Sequence, residues 1–100
     1  MTLTLERIKE VLRNKEVEIR KFGIISLAVF GSVARGEATD SSDVDLLVEF
    51  DDHRSIDLFD FIIVNQFLEK ELGVKVDLVT VPALKKQLKD QILKEAIRVA

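Results

Sequence analysis

Asp43 and Asp45 stand two residues apart at the head of an apolar run, Val44-Asp45-Leu46-Leu47-Val48. A third acid, Asp77, interrupts a second run, Val74-Lys75-Val76-Asp77-Leu78-Val79. Residues i and i+2 of a strand point to one face, their backbones about 7 Å apart, so Asp43 and Asp45 can close on one cation or bridge two. Asp77 is flanked by residues suited to a buried strand, where an unpaired carboxylate is costly, and it extends the pair to a candidate triad. Upstream, Gly31-Ser32 ends another apolar run, with Arg35 and Gly36 close behind. Gly31 lets backbone approach a phosphate with no Cβ in the way, and Ser32 adds a hydroxyl donor at the start of a short helical turn. Arg35 fits either a phosphate contact or a salt bridge to one of the neighbouring acids. The layout is that of a metal-dependent nucleotidyl-transfer site.

That chemistry explains the residue types. A nucleoside triphosphate is a polyanion, and transfer of its nucleotidyl group builds charge on both the attacking and the leaving oxygen. Two divalent cations roughly 3.5–4 Å apart meet both needs, one at the nucleophile and one at the departing pyrophosphate. Mg²⁺ prefers hard oxygen ligands, so Asp43, Asp45 and Asp77 are the expected ligands. No single element suffices: a Gly-Ser pair is a common strand-to-turn junction, Asp43 alone can start a strand, and Asp45 alone can face water. The only histidine, His53, lies in an acidic loop with no nucleophilic triad around it.

One hundred residues build one domain with a modest core, expected to span 1–100, and leave little room for a second substrate-binding domain. The composition is 47% hydrophobic and 33% charged with four Gly and one Pro, which fits a folded chain rather than a disordered one. Cysteine is absent, excluding disulfides and thiolate metal sites. The stretch from Met1 to Arg7 passes straight into charged amphipathic sequence, without the apolar core of a signal peptide or membrane span, so a cytoplasmic protein with no membrane partner is expected. Net charge is −3, unevenly spread. Residues 37–60 hold nine acids, Asp40 and Glu37 among them, against Arg54 alone, whereas residues 83–100 hold five bases against Asp90 and Glu95. Most of these charges read as solvated surface. The acidic block is too negative to bind nucleic acid directly unless cations neutralise it.

The elements that must position these residues follow from periodicity. Leu5, Ile8, Leu12 and Ile19 predict an amphipathic helix over 4–21, with a break near Asn14 and a stop at Gly23. Residues 24–30 and 44–50 read as buried strands separated by a turn or single helical turn from Ser32 to about Gly36. Residues 55–72 form the most apolar helix, wide enough for either a core helix or a partner surface. A third strand over 74–80 follows, then a last helix from Pro82 with Leu84, Leu88, Ile92 and Ala96 on one stripe. The helix between the second and third strands is long enough for a right-handed parallel crossover, which would set Asp77 beside Asp45. The expected class is α+β in layers, a small mixed sheet of about three strands flanked by helices.

Taken together, Gly31-Ser32-Val33-Ala34-Arg35-Gly36-Glu37, Ser42-Asp43-Val44-Asp45-Leu46-Leu47-Val48 and Asp77 resemble the minimal nucleotidyltransferases of the DNA polymerase β-like superfamily, in element order over nearly the whole chain. The resemblance implies that Asp43, Asp45 and Asp77 are the metal triad holding two Mg²⁺ ions, and that Gly31 and Ser32 form the phosphate-holding turn for ATP. It further implies an antitoxin paired with a HEPN-domain toxin, transferring AMP from ATP to a tyrosine of that ribonuclease, in a homo- or hetero-oligomer. The chain lacks room for an acceptor-binding domain, which suits an acceptor that is itself a protein. Two other readings stand beside this one: neutralisation by occlusion with an idle site, and small-molecule transfer as in the aminoglycoside-modifying branch, which usually carries an additional domain. Glu37 has no assigned role.

Overall fold

In the computed structural model, residues 3–39 and 43–100 are described; Met1, Thr2, Asp40, Ser41 and the motif residue Ser42 lie outside them. The predicted N-terminal helix is two helices, α1 (Leu5–Arg13) and α2 (Glu16–Lys21), divided at Asn14 and Lys15. Thr4 caps α1 by accepting from the Arg7 N–H. The break near Asn14 serves packing: Ile8 and Leu12 are fully buried on α1, and Ile19 on α2 is re-aimed toward β1 (Ile24–Phe30). Lys15 in the joint reaches Glu71 at 3.8 Å and ties the break to the next helical layer.

Among the described residues the sheet has four strands rather than about three. β1, β2 (Val44–Phe50), β3 (Val76–Thr80) and β4 (Ile97–Arg98) lie in the order β3-β2-β1-β4. β2 runs antiparallel to β1 and parallel to β3, and β4 adds antiparallel to the other side of β1. The extra strand escaped periodicity because two residues carry no measurable alternation. It is anchored beyond its own ends by the Val99 N–H to the Leu27 carbonyl at 2.8 Å and the Leu27 N–H to the Ala100 carbonyl at 3.1 Å.

Alternation divides the sheet into two faces. Leu27 and Val29, Val44, Leu46 and Val48, and Val76 and Leu78 form the buried face against α1, α2 and α4 (Leu58–Leu72). Asp45 and Asp77 belong to the opposite face. The parallel crossover is realised through α4, which starts with a reciprocal capping box between Asp57 and Asp60 and ends at Gly73, left-handed at φ +72°. Glu69 on its last turn accepts from the Val76 N–H at 3.0 Å and so fixes where β3 begins, one residue before Asp77.

Only Val64, Leu68 and Leu72 of α4 are buried. Leu58, Phe59, Ile62 and Ile63 are exposed, Phe59 to 75%, so the broad apolarity of this helix reflects a core stripe plus an uncovered first half. The last helix starts later than the sequence suggests: Pro82 falls in a 3-10 turn (Val81–Ala83), and α5 (Lys86–Glu95) has no buried residue, with Leu88 of its expected stripe exposed. Among the described residues, no helix is long and apolar enough to cross a membrane.

The capping box predicts that Asp57→Ala lowers stability by about 1 kcal/mol. Urea unfolding should show this as a lower midpoint with an unchanged slope; an unaltered midpoint would show that packing alone fixes the start of α4.

Candidate active site

Asp45 and Asp77 are direct register partners in the parallel β2–β3 pair. Directly paired residues share a face and approach within about 5 Å, so the charge of Asp77 acts on Asp45 across the strand pair. Asp77 is exposed at the sheet's outer strand, contrary to the expectation of a buried acid; Asp45, on the second strand in, is the half-buried member. Asp43 is exposed just before β2 and acts on Asp45 through charge. Among the described residues, no three acids are gathered into a preformed cation shell, so the structure joins Asp45 to Asp77 and leaves Asp43 at the rim.

The other half of the site is the turn after β1. Phe30 is paired with Asp45, so the chain reaches Gly31 directly above that carboxylate. Gly31 takes φ +75°, a conformation that side chains rarely allow, and a Cβ there would collide with Asp45 Oδ2. Glycine is required twice, by dihedral and by contact. α3 (Gly31–Ala34) follows as one helical turn, held on β1 and β2 by buried Val33. Ser32 is half-buried on this turn, and its carbonyl accepts from the Glu37 N–H at 2.8 Å.

Arg35 is exposed and paired with acids. Its Nε donates to Glu37 at 3.2 Å, and its Nη1 donates to both oxygens of Glu95 at 3.2 and 3.3 Å. The salt-bridge alternative is therefore the one this structure adopts. Glu37, then Glu95, hold the guanidinium more firmly protonated than usual. Glu95 was not singled out by sequence reasoning. It lies 64 positions from Gly31, whose N–H it accepts at 3.0 Å, and no local motif announces a contact of that span. An acid ending a basic helix is the faint signal that was available.

Burial raises the Asp45 carboxyl above its usual range, and the charges of Asp77 and Asp43 push it the same way while Arg35 opposes them. Crowded, partly desolvated carboxylates are what a hard divalent cation relieves, and three Asp side chains are a donor set suited to Mg²⁺. A separate cleft of about 190 Å³, lined by Leu12, Ile19, Ile24 and Val99, sits at the other end of β1 and contains none of these acids.

The raised Asp45 value makes a signed prediction. The folded chain binds this proton more tightly than the unfolded chain, so ionisation of Asp45 subtracts from stability. The loss develops as pH rises from the ordinary value of 3.8 through the raised folded value. Asp45→Asn should melt higher than the native protein at neutral pH, with the gap closing as pH falls through the raised folded value toward the ordinary one. Thermal melts across the range check this; a gap of constant size would detach the effect from ionisation.

Comparison with known proteins agrees with this geometry. The family model described as "Nucleotidyltransferase domain" matches residues 5–99. The chain is similar to the protein adenylyltransferase MntA of Thermococcus cleftensis, at 43% identity over 98 residues and 97% of each chain. It is also similar to a solved structure described provisionally as a minimal nucleotidyltransferase, at 40% identity and a TM-score of 0.78, covering 95% of each chain. A fold-level likeness at 20% identity and a TM-score of 0.62 links it to a complex of a tri-AMPylated Shewanella oneidensis HEPN toxin with an MNT antitoxin, covering 92% of this chain and 71% of that one. The chain therefore belongs to the nucleotidyltransferase domain family, a family of transferases, and within it to the minimal nucleotidyltransferases.

Proposed function

We propose that this chain is a cytoplasmic antitoxin that transfers AMP from ATP to a tyrosine hydroxyl of a HEPN-domain toxin, within one domain spanning residues 1–100. The observation that carries the reading is the pairing of Asp45 with Asp77 beneath the Gly31 turn. The relative named a protein adenylyltransferase and the AMPylated toxin in complex with its antitoxin support the reaction and the class of partner. The uncovered apolar half of α4 offers surface for a protein acceptor, in keeping with a hetero-oligomer.

In this reading the Gly31 N–H, the Ser32 hydroxyl and Arg35 hold the triphosphate. Asp43 and Asp45 would hold the Mg²⁺ that accompanies it, and Asp45 and Asp77 a second Mg²⁺ beside the acceptor. When bound, the ions neutralise the phosphates and lower the pKa of the incoming hydroxyl. The hydroxyl oxygen bonds to the α-phosphorus, the bond to the bridging oxygen breaks, and pyrophosphate leaves. The hydroxyl proton departs on the exposed side of the pair, where Asp77 faces solvent.

Incubation of the purified chain and a HEPN-domain partner with Mg²⁺ and α-labelled ATP should label the partner, with adenylate-sized additions on tyrosine. Asp77→Asn should still bind metal–ATP but lose transfer, because its part is played in the attack. An unlabelled partner combined with efficient modification of an aminoglycoside would move the acceptor to small molecules. Full neutralisation of the partner by Asp77→Asn would instead establish occlusion.

A further inference from the structure

The carboxylate of Glu95 occupies the position where the preceding reading places a phosphate. Its Oε1 accepts from the Gly31 N–H at 3.0 Å and from Arg35 Nη1 at 3.2 Å, while Oε2 lies 3.3 Å from the same nitrogen. A backbone N–H and a guanidinium converging on one anionic oxygen would hold a phosphate oxygen equally well. Gly31 has a single N–H to give. Glu95 and a nucleotide phosphate therefore exclude each other there.

Glu95 gains little from its own helix. It is the last residue of α5, where a negative charge opposes the helix macrodipole, so its favourable contacts are those with Gly31 and Arg35. α5 is also held by little packing. None of its ten residues is buried, and both flanking residues, Lys85 and Ala96, are extended rather than helical. Beyond Ala96, Ile97 pairs with Val29, two positions before Gly31, which delivers Glu95 to the turn.

We propose that Glu95 is a displaceable latch: its carboxylate competes with a nucleotide phosphate for the Gly31 N–H and Arg35, and the C-terminal end of α5 is released when nucleotide enters. The proposal rests on the reading of Gly31, Ser32 and Arg35 as the phosphate turn. It makes nucleotide loading visible at α5, more than 50 residues along the chain from that turn.

Calorimetry of Mg-ATP binding to the native chain, Glu95→Ala, Glu95→Gln and Ser32→Ala tests it. Glu95→Ala should bind about tenfold more tightly, the factor of roughly one charge-assisted hydrogen bond no longer competed for. Glu95→Gln, which keeps an acceptor and loses the charge, should fall between. Hydrogen exchange should show the α5 amides of the native protein speeding up when Mg-ATP is added, and those of Glu95→Ala fast without it. Equal or weaker binding by both Glu95 variants, while the native chain binds and Ser32→Ala binds less well, would overturn the latch and leave the phosphate turn standing. Binding by none of the four would overturn both.

Discussion

The parallel pairing of β2 with β3 is the constraint on which the site depends. Val44 with Val76 and Leu46 with Leu78 lock the register from the buried side, where a one-residue slip would turn the apolar side chains of the slipping strand out of the core. Asp45 and Asp77 are carried into contact by that lock although their charges repel. The core thus holds together two groups that would separate if left to their own electrostatics. Glu69 reinforces the arrangement by taking the first N–H of β3, and the left-handed Gly73 lets the chain turn sharply enough from α4 to reach it.

Much of this was legible in the chain. Three strands, the order of the principal helices, the break near Asn14 and the Gly31 turn follow from local patterns, because each depends on residues within a few positions of one another. The parallel crossover also followed, since a long helix between two strands leaves few topologies open. What escaped reading depends on tertiary placement. β4 is a strand only because β1 has an open edge beside it, and Glu95 meets Gly31 only because β4 brings it there. Asp77 was expected to be buried because its neighbours are apolar, yet β3 lies outermost in the sheet and the acid faces water.

The electrostatic character of the site is asymmetric. Asp45 carries the strain of burial and of two neighbouring acids, while Asp43 and Asp77 sit at its solvent side. Arg35 is the nearby counter-charge, and it is engaged by Glu37 and Glu95 rather than by the crowded pair. Negative charge on the sheet is thus left to be balanced, while the positive charge of the turn is already paired. Binding of a metal–triphosphate complex would change both conditions at once.

Alternation along β2 has a consequence for how the chain can change. Val44, Leu46 and Val48 serve folding while Asp45, between them, serves chemistry, so two independent requirements are interleaved in one short segment. Substitutions can alter either set alone. Loss or gain of a single residue within the strand exchanges them, turning the carboxylate into the core and the valines toward solvent. Length in this segment is thus held more tightly than identity: β2 of this chain tolerates substitution far better than insertion.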